Sequence, residues 1–403
     1  MNTDANTIKE RSFNPFKLNN FLPRIFFSFL ICCVIYLCLS FFFHFTFFIN
    51  DDENIMYTLS GYYTYGIPSD HPFINYILSF ILRNLYSFFP KIQWYTAYHI
   101  FIIISSLTIF NNLIIKYLYG KLNNLIIILF SFITDLAVFS YVIILFQFTT
   151  TSTLAGCTVI ALIYDLGVKI SNNTNNYILN ITFIILYSIL CYMHRKNTFY
   201  VVSCFILLVF IYIICENFKK IRKCNKILII LFFTFILIFL SVILCEVISQ
   251  KKRSSIFWQN YYEYDTARFH MTDYPHANYL EEPQLYEEIG WTPSLYTLSA
   301  TSYWFFMDKR INKETFKKIS SSNINDFKIS KMYQNWSKLM KDTPLAFYET
   351  FLLIIFLLLN LIYSIKTHNF SSVFLTICNL LGSIILISYL CYIQRIPLRA
   401  YQT

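Results

Sequence analysis

Long apolar segments are the feature that most restricts the fold of this chain. Nine stretches of roughly 17–25 mostly apolar residues occur along it, the length that an α-helix needs to cross a bilayer. Only 13% of the residues are charged, about half the usual fraction in soluble domains. The sequence therefore predicts an all-α membrane protein with about nine transmembrane helices. The predicted spans are 25–49, 94–115, 124–146, 148–166, 177–193, 197–215, 227–249, 346–365 and 370–393.

The distribution of basic residues predicts the orientation. Lysines and arginines concentrate in the short loops that share a side with the N-terminus, most densely in the cluster from Lys219 to Lys226. Short cytoplasmic loops are rich in Lys and Arg, so the N-terminus should be cytoplasmic and the C-terminus extracytoplasmic in a multi-pass cell-membrane protein. The net charge of +10 then reflects topology, and we expect no nucleic-acid partner.

Two polar regions are predicted to lie on the outer face. The loop 50–92 follows the first span, and its apolar spacing predicts two juxtamembrane helices, the second opening at Ser69–Pro72. The region 250–345 is long enough for a small, mainly helical domain. We divide the chain into a transmembrane core with this loop (1–249), an extracytoplasmic domain (250–345), and a C-terminal transmembrane pair with a tail (346–403).

Three adjacent carboxylates open the loop 50–92. Asp51, Asp52 and Glu53 follow directly on the first span. Acids in a first turn stabilise a helix N-terminus, but one carboxylate would serve that purpose, and three crowded at a lipid boundary repel one another. The alternative is a general base or a metal ligand held where a lipid headgroup would lie.

The loop motif reads Asp51-Asp52-Glu53-x-x-Met56-x-x-x-Ser60-Gly61-x-Tyr63-Thr64-x-Gly66-x-Pro68-x-x-His71. It resembles the GT-C superfamily of polytopic glycosyltransferases, in particular a branch found in Firmicutes. These enzymes use polyprenyl-linked sugars on the outer face of the membrane. The resemblance extends to Arg268, to Asp273-Tyr274-Pro275 and to Arg395-x-Pro397-x-Arg399, and so covers most of the chain loosely.

The resemblance implies a single displacement at the sugar C1, with a polyprenyl-phosphate-type donor and a cell-envelope glycan or protein as acceptor. Asp52 would be the base that deprotonates the acceptor, with Asp51 as the second choice. Some branches bind a divalent cation such as Mg²⁺ or Mn²⁺; Asp51, Asp52 and His71 could supply hard ligands, and the sequence leaves this open. The substrate-binding residues implied are Glu53, His71, Arg268, Asp273 and Tyr274.

Basic residues in the short outer loops are exceptions to the charge distribution. His194 and Arg195 lie at the outer end of the fifth span, and Arg395 and Arg399 follow the ninth. Arginine at a span end often only extends toward the headgroups. A leaving phosphate also needs compensating charge, which predicts a donor-phosphate site at these four residues, with Arg195 the best candidate.

Two further acids lie inside predicted spans. Asp135 is in the third span and Asp165 is near the cytoplasmic end of the fourth. Ionisable groups at membrane depth are costly and are candidates for function.

Two other functions remain open at this point. A polymerase or ligase for lipid-linked oligosaccharides would share the large outer loop, but would not need acids after the first span. A transporter or flippase would need polar groups near the midplane and paired repeats, and only Asp135 fits the first of these. No GxxxxGK[ST], GxGxxG or GxSxG motif occurs, which disfavours an ATP-driven pump, a dinucleotide enzyme and a hydrolase of those types.

Overall fold

The computed structural model describes residues 21–48, 50–172, 177–218, 221, 225–273, 276, 278–301 and 308–321, with isolated positions between 337 and 388. This part of the chain is almost entirely helical, as predicted. The elements in chain order are α1 (Phe21–Phe42), β1 (Thr46–Phe47), α2 (Asn50–Ser60), a 3₁₀ turn (Tyr62–Thr64), α3 (Tyr76–Phe88), α4 (Trp94–Leu118), α5 (Asn124–Thr134), a π-helical turn (Asp135–Phe139), α6 (Ser140–Ile144), β2 (Leu145–Phe146), α7 (Phe148–Ser171), α8 (Ile178–His194), α9 (Lys196–Glu216), α10 (Lys226–Lys252), α11 (Ile256–Asp273), α12 (Pro283–Glu288), α13 (Pro293–Tyr296), a second π-helical turn (Thr297–Thr301) and α14 (Lys313–Ser321).

Within the described residues, six helical segments are long and apolar enough to cross a membrane. They are α1, α4, the segment Asn124–Ile144, α7, α9 and α10. The predicted span 177–193 corresponds to α8, an apolar helix of 17 residues at the lower end of the range that can cross a bilayer, and it is not among these six. The predicted spans 346–365 and 370–393 lie largely outside the described residues.

Helix α7 is the most enclosed of the six. It packs against α4, α8 and α9, and 61% of its most apolar window is buried. Gly156 permits the close approach to α9, because a Cβ at this position would lie 2.5 Å from a methyl group of Val202. Side chains that start on α7 therefore face protein on most sides.

The third spanning segment does not run as one regular helix. It changes from α5 to the π-helical turn, then to α6, and ends in β2, which pairs in parallel with β1. Thr46 pairs with Leu145 and Phe47 with Phe146, and the Phe48 amide donates to the Phe146 carbonyl across 2.9 Å. This pairing brings the start of α2 beside the start of α7.

The loop 50–92 contains two helices, α2 and α3, as predicted. The second begins at Tyr76 and not at Ser69–Pro72, with Asn75 as N-cap accepting a 2.9 Å hydrogen bond from the Ile77 amide. The start was misplaced because the carbonyls of His71 and Ile74 accept hydrogen bonds from Arg253, which lies far away in the sequence.

The polar segment after α10 has a small hydrophobic core of its own. Its largest members, Tyr286, Trp291 and Phe316, are all but inaccessible to solvent. The Trp291 indole donates to the Arg310 carbonyl across 3.0 Å. The described part of this segment is helical, in agreement with the prediction of a mainly helical region.

Candidate active site

Asp52 lies at the point where the loop 50–92 meets the helical bundle. Its side chain is fully buried, and its Oδ1 accepts hydrogen bonds of 2.9 Å from the Tyr95 hydroxyl and from the backbone amide of Phe148. Its Oδ2 has no hydrogen-bond partner among the described residues. One carboxylate oxygen is thus fixed in place, and the other is free for a ligand.

The N-terminus of α7 favours a negative charge at Asp52. Phe148 is the first residue of this 24-residue helix, so its amide is one of those that the helix leaves without an internal acceptor. Carboxylates are stabilised at such ends by the helix dipole. The pairing of β1 with β2 is what brings Asp52 to this position.

The pKa of Asp52 is raised to about 7. Burial is the largest cause, because it disfavours the charged carboxylate, and the hydrogen bonds from Tyr95 and Phe148 offset part of it. The neighbouring charge of Asp51 raises the pKa of Asp52 further, whereas Arg195 lowers it. A carboxyl that titrates near neutral pH can both take up and release a proton, which is the property required of a general base.

Two buried histidines extend the cluster. His99 lies one helical turn after Tyr95 on α4; its Nε2 is 3.8 Å from Asp52 Oδ1, and its Nδ1 is 2.8 Å from the Thr151 hydroxyl. The ring of His194, at the end of α8, lies edge-on to that of His99 with centroids 4.7 Å apart. The predicted residues Asp52 and His194 are therefore joined through His99.

Several buried polar atoms of this region, Asp52 Oδ2 among them, have no hydrogen-bond partner in the described part of the chain. Buried polar groups normally have partners, so a concentration of exceptions indicates a place where a polar ligand binds. The atoms are Asp52 Oδ2, the Nε2 atoms of His99 and His194, the hydroxyls of Tyr98 and Thr149, and both side-chain amide atoms of Gln147.

Arg195 supplies positive charge next to this cluster. It is half-buried directly after His194, and its guanidinium lies 4.3 Å from the ring centre of Phe148. Its positive charge stabilises the ionised form of Asp52 and so lowers the pKa of that carboxyl. The next residue, Lys196, turns away and pairs with Glu246 across 2.6 Å. Of the two neighbouring cations, only Arg195 is placed beside the start of α7.

His71 lies between α2 and α3, next to the end of α10. It is buried, its Nδ1 accepts from the Phe73 amide across 3.3 Å, and burial lowers its pKa to about 4. Its carbonyl accepts from Arg253, whose guanidinium also binds both oxygens of Asp70 at 2.6 and 2.8 Å. Arg253 thereby attaches the loop 50–92 to the end of α10.

The other predicted site residues are more dispersed. Asp51 is half-buried and Glu53 is exposed on α2. Arg268 pairs with Asp265 on the same helix at 2.5 Å. The side chains of Asp273 and Tyr274, and the residues Arg395 and Arg399, lie outside the described residues.

The described residues contain no group of three or more His, Cys, Asp or Glu side chains that could hold a metal ion. Asp51, Asp52 and His71 are all described and do not form such a group. The arrangement therefore does not fit Mg²⁺ or Mn²⁺ bound by these three residues together.

Several members of the site were not predicted from the sequence: Tyr95, Tyr98, His99, Gln147, Phe148, Thr149 and Thr151. The available signals were the i, i+4 spacing of Tyr95 and His99 in an otherwise apolar span, and the polar run Gln147–Ser152 between two spans. Both would have indicated polar positions inside the bundle, but neither identifies Asp52 as the partner.

A separate cleft of about 340 Å³ lies in the polar segment between α11 and α14. Its lining combines the ring of Tyr262 with polar and charged side chains. The lining residues are Tyr262, Glu263, Thr266, Ala267, His270, Lys317 and Ser320.

Comparison of the chain with protein-family models, with curated proteins and with solved structures finds no match.

Proposed function

We propose that this protein is a membrane glycosyltransferase of the GT-C type, which transfers a sugar from a polyprenyl-phosphate-type donor to an acceptor hydroxyl on the outer face of the membrane. The observation that carries the proposal is the state of Asp52: one oxygen is held by two hydrogen bonds, the other is unpartnered among the described residues, and the pKa is about 7. These are the properties of a positioned general base.

In the proposed reaction, Asp52 Oδ2 accepts the proton of the acceptor hydroxyl. The acceptor oxygen forms the new bond to the sugar C1, and the bond from C1 to the phosphate oxygen breaks. The polyprenyl phosphate leaves with that electron pair, and Arg195 offsets its negative charge. The buried setting supports such a step, because hydrogen bonds and charges act more strongly where water is excluded.

The polar segment is the proposed acceptor region. Its cleft combines the ring of Tyr262 with the polar edges of Glu263, His270 and Lys317, which suits a carbohydrate. Arg253 connects the two regions: it binds Asp70 in the loop 50–92 and donates to the Tyr262 hydroxyl across 3.3 Å.

The test of the base is Asp52→Asn in the purified full chain. The donor probes are polyprenyl phosphates carrying labelled glucose, galactose, mannose or N-acetylglucosamine, each offered with solubilised cell-envelope glycan. We expect wild-type transfer from one donor and a loss of about 10²–10⁴-fold in Asp52→Asn with donor binding retained. Asp51→Asn and Glu53→Gln, which change neighbouring carboxylates, should lose clearly less activity than Asp52→Asn. Full activity in Asp52→Asn would refute the assignment.

The test of the phosphate site is Arg195→Gln, with Lys196→Gln as the matched control. Arg195→Gln should weaken donor binding or turnover, because it removes the charge beside the start of α7. Lys196→Gln removes the adjacent cation, which pairs with Glu246. Equal effects of the two substitutions would assign Arg195 to the membrane interface only.

A further inference from the structure

A second buried polar cluster lies where α1, α4 and the third spanning segment pack together. Asp135 opens the π-helical turn of that segment and is fully buried. Asn111 of α4, also fully buried, donates through Nδ2 to Asp135 Oδ2 across 2.6 Å and contacts Cys32 Sγ at 3.5 Å. These residues are distinct from the site around Asp52.

Three oxygens of this cluster have no hydrogen-bond partner among the described residues. They are Asp135 Oδ1, Asn111 Oδ1 and the hydroxyl of Ser131, which is also fully buried. Ser131 lies four residues before Asp135, so the two side chains share a helix face. The bond from Asn111 Nδ2 to an ionised Asp135 fixes the amide orientation, and this leaves Asn111 Oδ1 as a second bare acceptor.

An ionised Asp135 in this arrangement needs a positive partner. An ionised carboxylate inside a bilayer is costly unless it is paired, and a single hydrogen bond from a neutral amide does not neutralise it. The unpartnered atoms are a carboxylate, an amide carbonyl and a hydroxyl oxygen, which are the donors that hard cations prefer. With only one formal negative charge, the set matches a monovalent ion.

We propose that Asp135, Asn111 and Ser131 form an intramembrane binding site for a small monovalent cation, with Na⁺ as the best match. The π-helical turn is consistent with this, since such turns occur frequently at functional sites and unwound membrane helices coordinate Na⁺ through backbone carbonyls. The segment continues through α6 and β2 to Phe148, whose amide binds Asp52. A bound cation would therefore stabilise the segment that positions this amide. The site itself does not depend on the proposed transferase activity.

The experiment is thermal unfolding of the purified full chain in detergent, in NaCl, KCl or choline chloride at constant ionic strength and pH. Na⁺ should raise the Tm saturably and choline should not, because an ion that binds only the folded state stabilises it by mass action. Asp135→Asn should lose this dependence. Asp165→Asn, which removes another buried carboxylate, should lower the Tm but keep the response to Na⁺.

Ser131→Ala retains the charge and provides a second variant if Asp135→Asn does not fold. It should need a higher Na⁺ concentration for half of the Tm shift. Direct binding of ²²Na⁺ to the wild type and not to Asp135→Asn would support the site. A Tm that is the same in all three salts but varies with pH would mean that Asp135 carries a proton, and would overturn the proposal.

Discussion

The hydroxyl of Tyr95 donates to Asp52 Oδ1 across 2.9 Å, so the first turn of α4 orients a carboxylate carried by α2. This bond lowers the pKa of Asp52 because it stabilises the ionised form. In Tyr95→Phe the pKa should rise by about one pH unit, the effect of losing a hydrogen bond to a charged group.

The resulting prediction concerns the pH profile of sugar transfer. If ionised Asp52 is the base, the ascending limb of the profile in Tyr95→Phe should move to higher pH, and the activity lost at pH 7 should recover at higher pH. Tyr98→Phe, on the same helix, makes no contact with Asp52 Oδ1 and should leave the limb in place. A uniform loss at all pH values would instead indicate a structural role for Tyr95.

Asp52→Asn should stabilise the protein at pH 8 even though it abolishes activity. The folded-state pKa of about 7 is above the ordinary value of 3.8, so the folded state binds this proton more tightly than the unfolded state does. Proton binding to Asp52 therefore stabilises the folded state fully below pH 3.8, and this stabilisation is lost as the pH rises through 7. Asparagine removes the buried charge but can still accept from Tyr95 and Phe148.

The measurement is the Tm of both proteins between pH 5 and pH 8. The advantage of Asp52→Asn should grow with pH, toward at most about 4 kcal/mol, the value that a difference of three pH units represents. A Tm difference that does not change with pH would contradict the raised pKa.

His71 should make the protein sensitive to acid. Burial lowers its pKa to about 4, below the ordinary 6.5, so the unfolded state binds the proton more tightly. Stability should therefore fall as the pH drops from 6.5 toward 4. His71→Asn, which can still accept from the Phe73 amide, should show a flatter Tm profile over this range, and a profile as steep as that of the wild type would assign the acid sensitivity to other groups.

Arg253 and Asp70 should be strongly coupled. The pair is buried and bidentate, and truncating one partner leaves an uncompensated charge. Arg253→Ala should destabilise the fold by about 3–5 kcal/mol, and Arg253→Lys should recover only part of this because lysine cannot bind both oxygens in the same plane. A double-mutant cycle with Asp70→Asn measures the coupling. If the losses of unfolding free energy in the two single variants add up to that of the double variant, the coupling is refuted.

Gly61 and Gly66 form a matched pair for testing the turn after α2. Both have positive φ, of 84° and 85°. A Cβ at Gly61 would lie 2.8 Å from backbone atoms of Gly66 and Ile67, whereas one at Gly66 would meet nothing within 4 Å. Gly66→Ala should cost about 1 kcal/mol from backbone strain alone, and Gly61→Ala clearly more, as read from the two Tm values.

The helices were predictable because their apolar runs have the length of a membrane span. The break at the end of the third span was not, since the last residues of that span, Tyr141 to Phe146, are continuously apolar. What ends the helix is pairing with Thr46 and Phe47, which are about a hundred residues earlier in the chain. The residues of the span itself give no indication of that contact.

The site was predictable only where charge interrupts an apolar pattern. Asp52, His194 and Arg195 stand out for this reason. Tyr95 and His99 do not, because an occasional Tyr or His in a span is common and its importance depends on which residue lies opposite. Arg253 was missed because its partner Asp70 is 183 residues away.

One of the two groups that hold Asp52 belongs to the main chain. The Phe148 amide is present whatever side chain position 148 carries, so among the natural amino acids only proline would eliminate it. A substitution at Tyr95 can therefore change the pKa of Asp52, but few substitutions can remove the hydrogen bond from the start of α7. Proline at position 148 should therefore reduce activity more than leucine, which keeps both the amide and an apolar side chain at this buried position.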